Sequence, residues 1–223
     1  MTLPKPHQDI IDYYETSLAT HGDSHLGVGW PNPVDVETRY RVMLECIREA
    51  DQPLEILDFG CGPSHMLDFM RRHALDRLTY AGLDIVAESV ALSRAKNPDI
   101  TYYEMDVLES AAALPMFDYI ILNGVFTVKR DMTQEAMLAY FKQVLEIVFS
   151  KARRGIAFNV MAKAVDWERS DLFHLPVDEL IGFLVKSLSR HFVVRNDYGL
   201  YEYTTYVYKD VDHGLRHPLW AGR

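Results

Sequence analysis

Residues 54–64 constrain the fold of this chain more than any other segment. An apolar run leads to Asp58, the close pair Gly60 and Gly62 follows, and Pro63 and Ser64 begin a helical pattern. Glycines at alternate positions allow a sharp turn and leave no side chain between the backbone and a ligand. A strand, a glycine turn and a helix in this order predict a ligand site at the carboxyl end of a parallel strand.

The residues of this turn exclude two common nucleotide-binding motifs. The dinucleotide motif G-x-G-x-x-G would need a glycine at position 65, where this chain has His65. The phosphate-binding loop G-x-x-x-x-G-K-[ST] does not occur in the chain. Taken alone, the turn is also compatible with an ordinary strand-to-helix connection.

Three later segments are predicted to be strands that lead into polar residues. Residues 78–84 end in Asp84, residues 100–105 precede Asp106, and residues 117–122 precede Asn123. An acid about twenty residues past such glycines can accept hydrogen bonds from ribose hydroxyls. Each acid alone is also typical of an ordinary strand end. Together they predict a nucleoside site at one edge of a sheet.

Strand and helix patterns alternate along the chain and predict its fold. Further helices are predicted at residues 9–19, 34–50, 86–96 and 177–189 and from near Thr133, and a fifth strand at 156–160 after Gly155. Strands at 192–196 and 201–208 are joined by a link so short that they are antiparallel. The expected fold is α/β: a Rossmann-like three-layer sandwich with a mostly parallel seven-stranded sheet and an antiparallel C-terminal β-hairpin strand.

This pattern divides the chain into three parts. Residues 1–53 are expected to be a helical extension that caps the cofactor site. Residues 54–210 form the core, and residues 211–223 form a tail.

The glycine turn and the strands after it resemble the class I S-adenosylmethionine (SAM) methyltransferases. Asp58, Gly60 and Gly62 match the first motif of that family, D/E-x-G-x-G-x-G after an apolar run, with Ser64 in place of the third glycine. Ser64 is expected to cap the helix that follows. A closer likeness to small, stand-alone bacterial methyltransferases rests on residues 26–30, 39–40, 158–159, 197–198 and 202–204.

The resemblance implies SAM as the cofactor, S-adenosylhomocysteine (SAH) as the product, and a set of binding residues. The implied cofactor-binding residues are Trp30, Arg39, Asp58, Gly60, Cys61, Gly62, Asp84, Ile85, Met105, Asp106, Val107, Asn123, Gly124 and Val125. Asp84 would hold the ribose, Asp106 the adenine amino group, and residues 123–126 would lie beside the sulfonium. Trp30 and Arg39 would close the pocket, with Arg39 facing the methionine carboxylate.

Two of these residues have simpler alternatives. Trp30 is also typical of a buried hydrophobic residue of the extension. Arg39 lies at the margin of an apolar helix stripe, where its guanidinium could reach a carboxylate at the sheet edge or remain solvated.

Methyl transfer to a hydroxyl benefits from a general base. Tyr14, His21, His65 and His174 are the candidates by placement, although each is also typical of a surface or structural residue. The aromatic residues of the helix after Thr133, Tyr140 among them, are expected to be core without a function. No cluster of carboxylates for a metal is recognised, so no metal is predicted.

Composition limits the partners. The 223 residues carry a net charge of −9, and the longest basic run is Arg153-Arg154, which is expected at a helix carboxyl end. Nucleic acid is therefore not expected as a substrate. The chain has no apolar run of membrane-spanning length, no signal-peptide pattern and only two cysteines, so a cytoplasmic protein without membrane contact is expected.

These observations predict a SAM-dependent methyltransferase that methylates a small polar metabolite at oxygen. One alternative is a catalytically silent SAM- or nucleoside-binding module, because Ser64 replaces a glycine and no base is evident. A second is an NAD(P)-dependent oxidoreductase on a related sheet, and a third is a protein or nucleic-acid methyltransferase. The sequence leaves the oligomeric state and the acceptor open.

Overall fold

A computed structural model describes residues 7–49 and 52–212 of the chain. Its helices and strands, in chain order, are α1 (Gln8–His21), α2 (Pro33–Leu44), β1 (Leu54–Phe59), α3 (His65–Arg72), β2 (Leu78–Asp84), α4 (Ala87–Lys96), β3 (Thr101–Glu104), α5 (Val107–Ser110), β4 (Phe117–Leu122), α6 (Gln134–Lys151), β5 (Ala152–Ala162), β6 (His174–Leu175), α7 (Val177–Phe183), β7 (His191–Arg195) and β8 (Glu202–Tyr208). A 3₁₀ turn follows α5, and a π-helical turn, Leu184–Leu188, follows α7.

The strands form one sheet in the order β3-β2-β1-β4-β5-β8-β7, and the short β6 pairs with β5 off this path. Strands β1 to β5 are parallel, whereas β8 is antiparallel to both β5 and β7. The predicted mostly parallel α/β sheet with an antiparallel C-terminal hairpin strand is confirmed. The carboxyl ends of the parallel strands consequently meet at one edge.

Helices cover both faces of the sheet and bury it. Side chains of α2, α3 and α4 share one apolar cluster with one face of the strands. Side chains of α5, α6 and α7, together with Ile10 of α1, share a second cluster with the opposite face. The predicted three-layer sandwich is therefore the observed architecture.

Helix α2 is shorter than the sequence pattern predicts. It ends at Leu44, whereas the pattern continues to residue 50. The hydroxyls of Tyr206 and Tyr208 donate to the carbonyl oxygens of Val42 and Cys46. Because tyrosines of β8 satisfy these two carbonyls, neither needs a further helical turn as its partner.

Strand β5 begins earlier than predicted and includes Gly155. A side chain at Gly155 would lie 2.7 Å from the carbonyl oxygen of Val207 on β8, so glycine permits close pairing there. The prediction that Arg153 and Arg154 lie at a helix carboxyl end is wrong, because both lie in this strand. They form ion pairs with carboxylates that include Asp118, which explains the basic pair without a polyanion.

Some expectations fall outside the described residues. Residues 50, 51 and 213–223 are not described, and they include most of the predicted tail.

Cys46 and Cys61 are both buried and free. No helix among residues 7–49 and 52–212 combines the length and apolar character that crossing a bilayer requires.

Candidate cofactor and active site

A cleft lies at the carboxyl edge of the parallel strands. Its floor is formed by the residues that follow β1, β2, β3 and β4, and its roof by α1 and the connecting loop of residues 22–32. The space between floor and roof that no atom occupies is about 1110 Å³, with the open solvent at its mouth included. Asp58, Asp84, Asp106 and Asn123 all line it, as the strand order predicts.

The glycine turn after β1 has the conformation that its sequence predicts. Gly60 and Gly62 have positive φ angles of 77° and 51°, and a side chain at Gly60 would lie 2.8 Å from Val125. Ser64 also has a positive φ, 65°, so serine takes the backbone conformation that a third glycine would favour. The replacement therefore leaves the turn intact.

Ser64 does not cap α3 with its side chain, contrary to the prediction. Its hydroxyl is fully buried and forms hydrogen bonds with the hydroxyls of Ser93 and Tyr102, at 2.8 and 2.9 Å. The left-handed backbone of Ser64 directs the side chain towards α4 and β3, so it ties the turn to these elements.

Asp84 is held rigidly at the end of β2. One carboxylate oxygen accepts from the backbone N–H of Gly62 at 2.8 Å, and the other from the N–H of Val86 at 2.9 Å. Burial raises the pKa of Asp84, and these backbone donors offset part of that rise. Each oxygen keeps lone-pair capacity for a ligand, because a carboxylate offers about four acceptor positions.

Asp58 is a buried carboxyl beside the turn. It accepts a hydrogen bond from the hydroxyl of Tyr80 at 2.8 Å and is 3% exposed. Burial raises the pKa of Asp58 to about 7, the Tyr80 hydroxyl lowers it, and the nearby charge of Asp84 raises it further. Asp58 is therefore partly protonated near neutral pH.

Asp106 is the N-cap of α5 and also contacts the N-terminal segment. One of its oxygens accepts from the N–H of Leu108 at 3.0 Å, and the other lies 3.1 Å from Nε2 of His7. The imidazole of His7 stacks on the ring of Tyr140, with ring centroids 4.9 Å apart. Tyr140 thus lines the cleft, although the sequence assigned it to the core without a function.

The segment after β4 is held by a side chain of β5. Oδ1 of Asn159, which is fully buried, accepts from the N–H of Gly124 at 2.7 Å. Gly124 has a φ of 80°, and a side chain there would lie 2.5 Å from the ring of Trp30. The indole of Trp30 therefore packs directly against the backbone of Gly124.

Arg39 fixes Trp30 from the other side. Its guanidinium lies 4.0 Å from the centre of the Trp30 ring and forms a two-point ion pair with Glu202. Glu202 also accepts from Nδ2 of Asn159 at 2.8 Å. Five residues, Gly124, Asn159, Glu202, Arg39 and Trp30, form a closed circuit that ties the connecting loop to the strand ends.

The sequence left two alternatives for the guanidinium of Arg39, a contact with a carboxylate at the sheet edge or a solvated position, and the structure shows the first. The guanidinium reaches a carboxylate at the sheet edge, that of Glu202, and Arg39 is not among the residues that line the cleft. A contact of Arg39 with a methionine carboxylate stays a prediction. Trp30 lines the cleft.

The four candidates for a general base separate into two pairs. Tyr14 and His65 line the cleft. His21 is exposed at the end of α1, outside the cleft. His174 lies buried in β6, where Nδ1 is 2.7 Å from the carbonyl of Ala162 and Nε2 accepts from the N–H of Arg169, so both ring nitrogens serve the fold.

All the predicted cofactor-binding residues except Arg39 line the cleft. They are Trp30, Asp58, Gly60, Cys61, Gly62, Asp84, Ile85, Met105, Asp106, Val107, Asn123, Gly124 and Val125. The sequence prediction missed several lining residues, namely His7, Ile10, Ile11 and Val28 of the roof and Tyr40 of α2. The spacing of His7, Ile10, Ile11 and Tyr14 is that of one helix face, and this was the signal that could have revealed them.

The cleft has the chemistry that SAM requires. Two buried polar atoms without a partner among the described residues, Nδ1 of His7 and Oδ1 of Asn123, belong to residues lining it. Its walls also carry apolar side chains such as Ile85 and Val107. Orphaned polar atoms in an otherwise apolar cleft indicate that a ligand with its own polar groups completes the site. Among the described residues, no group of three His, Cys, Asp or Glu side chains is placed to hold a metal.

Comparison with known proteins agrees with this geometry. A family described as "Methyltransferase domain" matches residues 56–147. A Mycobacterium tuberculosis protein that carries the name "Putative methyltransferase Rv1506c" is 27% identical over 165 residues, which cover 73% of this chain and 98% of that protein.

Solved structures show the same fold at low sequence identity. Magnesium protoporphyrin IX methyltransferase from Synechocystis PCC 6803, crystallised with SAM, has a TM-score of 0.64 at 14% identity, covering 92% of this chain and 98% of that one. The 1,6-didemethyltoxoflavin-N1-methyltransferase of Burkholderia thailandensis has a TM-score of 0.61 at 14% identity, covering 95% and 93%.

The fold and the glycine turn are those of the class I methyltransferases. With the matched domain and the similar protein, they confirm the resemblance noted from the sequence, and the chain is a SAM-dependent methyltransferase. The alternative of an NAD(P)-dependent oxidoreductase is thereby set aside.

Proposed function

We propose that this enzyme methylates a small polar metabolite at an oxygen atom. The single observation that carries the proposal is the roof of the cleft. Helix α1, the residue before it and the connecting loop contribute His7, Ile10, Ile11, Tyr14 and Trp30 to the lining and leave a partly covered cleft. Such a space suits a small molecule better than a polymer, and the net charge of −9 also disfavours nucleic acid.

The roof also supports the proposed division of the chain. Under this proposal residues 1–53 cap the site, residues 54–210 are the catalytic core and 211–223 are a tail. We further place the enzyme in the cytoplasm, because Cys46 and Cys61 are free and a reducing compartment keeps thiols in that state.

When bound, SAM supplies a methyl group that is already electrophilic, so the protein mainly has to position the acceptor and exclude water. Asn123 and Tyr14 offer polar atoms at the end of the cleft near β4. The Tyr14 hydroxyl lies beside Thr127, and burial raises the pKa of Tyr14 far above neutrality. Tyr14 is therefore a neutral phenol that orients an acceptor hydroxyl and is not a base.

His65 is the better proton acceptor of the two candidates in the cleft. Its Nε2 lies 2.7 Å from a carboxylate oxygen of Asp23, and Asp23 is also paired with Lys96. A carboxylate that accepts from one ring nitrogen leaves the lone pair of the other free to take a proton. We propose this role for His65 in the transfer to oxygen.

A methyl-transfer assay tests the proposal. Labelled SAM would be offered with a panel of small hydroxyl and amine metabolites, and with transfer RNA, duplex DNA and a basic protein as polymer controls. Mass spectrometry of the product identifies the methylated atom. We expect an O-methylated small molecule and little label on polymers.

Each other outcome has a defined meaning. Tight SAM binding without turnover on any acceptor would favour the silent binding module. Label on a polymer, or a methyl group on nitrogen, would contradict the proposed acceptor or the proposed atom.

A further inference from the structure

His7, the residue before α1, is a buried imidazole with only one of its two nitrogens satisfied. The residue is 3% exposed, and Nε2 lies 3.1 Å from a carboxylate oxygen of Asp106. Nδ1 is buried and has no hydrogen-bond partner among the described residues. An unsatisfied buried polar atom destabilises the folded protein, so one that persists beside a cleft points to a ligand.

The contact with Asp106 fixes what that ligand must offer. A carboxylate is an acceptor, so Nε2 of His7 carries the hydrogen and donates it to Asp106. In the neutral ring Nδ1 then has a lone pair and can only accept. The missing partner is therefore an N–H or O–H donor.

The position of His7 along α1 identifies which part of the cleft it serves. Tyr14 is seven positions after His7 in the chain. This spacing corresponds to about 10 Å along a helix. Tyr14 lies at the β4 end of the cleft, beside Thr127. His7 lies at the other end, beside Asp106 after β3, so it is remote from the region assigned to the acceptor.

The walls around His7 suit a flat, apolar group. Ile85, Met105 and Val107 line the cleft near Asp106, and the ring of Tyr140 stacks on His7 itself. The acceptor atoms at this end belong to Asp106 and His7. Of the parts of SAM, only adenine is both flat and apolar, and its exocyclic amino group is a donor at its edge.

We propose that Nδ1 of His7 accepts a hydrogen bond from the exocyclic amino group of the cofactor's adenine. Asp106 positions the ring by holding Nε2, and Tyr140 holds its plane. His7 is thus a specificity-determining residue, carried by the roof of the site, for a 6-aminopurine nucleoside. The proposal rests on SAM as the cofactor and is independent of the methyl acceptor.

Calorimetry with two ligands tests this assignment. SAH carries the amino group, whereas S-inosylhomocysteine carries a carbonyl oxygen there and offers no donor at that position. We expect the wild-type protein to bind SAH at least about tenfold more tightly, the ratio that one hydrogen bond of about 1.4 kcal/mol gives.

Variants at His7 connect the preference to this side chain. His7→Phe keeps a ring against Tyr140 but has no acceptor, so SAH affinity should fall about tenfold and the preference over S-inosylhomocysteine should shrink at least about fivefold. His7→Gln keeps both a donor and an acceptor and should recover part of the preference. Gln8→Ala, which removes a polar side chain from α1 outside the cleft lining, is the matched control and should leave both affinities unchanged.

Several outcomes would overturn the proposal. One is a folded His7→Phe, with an unchanged melting temperature, that keeps the wild-type preference. Another is a wild-type protein that binds the two ligands equally. A third is a His7→Phe variant that binds both ligands normally but loses methyl transfer, which would make His7 a catalytic residue instead. Failure of the wild-type protein to bind either ligand would contradict the cofactor assignment itself and, with it, this proposal.

Discussion

Arg39 of α2 and Glu202 of β8 form a buried two-point ion pair. Nε of Arg39 lies 3.0 Å from Oε1 and 2.9 Å from Oε2 of Glu202. The terminal nitrogen Nη2 also lies 2.9 Å from Oε2. The side chain of Arg39 is 10% exposed and that of Glu202 is 1% exposed. The pair orients the guanidinium over Trp30, so it joins the sheet edge to the roof of the cleft.

Removal of one partner of this pair should destabilise the protein strongly. Glu202→Ala leaves a largely buried guanidinium without its carboxylate, and a loss of about 3–5 kcal/mol in the free energy of unfolding is expected. Chemical denaturation measures it. Glu55→Ala is the matched control, because its pair with Arg153 is exposed and should contribute less than about 1 kcal/mol. Equal losses in the two variants would contradict a structural role for the buried pair.

Gly124→Ala should disturb both the backbone and Trp30. Residues other than glycine cost about 1–2 kcal/mol in a left-handed conformation, and the new methyl group would overlap the indole. We expect lower stability, weaker SAH binding and a changed Trp30 fluorescence in a variant that lacks the other tryptophans. Gly182→Ala serves as the comparison, since that exposed helical position has open space around it and should gain up to about 1 kcal/mol. Unchanged SAH affinity in Gly124→Ala would show that Trp30 does not close the site.

Asp84→Ala should weaken SAH binding by about 1.5–3 kcal/mol, the contribution typical of hydrogen bonds to a charged group. The variant also loses the acceptors for the N–H groups of Gly62 and Val86, so the turn should loosen. Calorimetry gives the affinity, and a thermal melt separates binding from folding. Asp99→Ala, at an exposed position before β3, should bind SAH normally. A folded Asp84→Ala variant with wild-type affinity would remove this residue from the site.

Asp58 should make stability fall as the pH rises. Its pKa is about 7 in the folded protein and near 3.8 when unfolded, so the folded state binds the proton more tightly. This contribution is fully present below about pH 4 and is lost as the pH rises through 7, with an upper limit of about 4 kcal/mol. Denaturation of wild type and Asp58→Asn at pH 5 and pH 8 measures it. The variant should lack this part of the pH dependence; a parallel dependence in both proteins would contradict the assignment.

Local patterns were sufficient for the elements that build the floor of the cleft. The bounds of β2 and β4 were predicted correctly, because each is a mainly apolar run bounded by turn residues; β2 ends in Asp84, and Asn123 follows β4. The order of parallel strands then brings Asp58, Asp84 and Asn123 to one edge. Their common site follows from topology that the alternation of strands and helices already implies.

The end of α2 and the backbone of Ser64 could not be predicted in the same way. The pattern of α2 continues past Leu44, but hydroxyls of Tyr206 and Tyr208 hold carbonyls near its end from more than 160 positions away along the chain. The left-handed backbone of Ser64 likewise depends on Ser93 and Tyr102, which α4 and β3 provide.

The sequence by itself determined the class of protein, because the glycine turn, the acids at strand ends and the helix periods are local signals of backbone conformation and burial. Only the tertiary structure decided the partners across the site. Arg39 meets Glu202, and His7 meets Asp106, through contacts between distant segments. The packing that brings these segments together decides which polar groups pair with each other and which remain for a ligand. No local sequence pattern encodes these pairings.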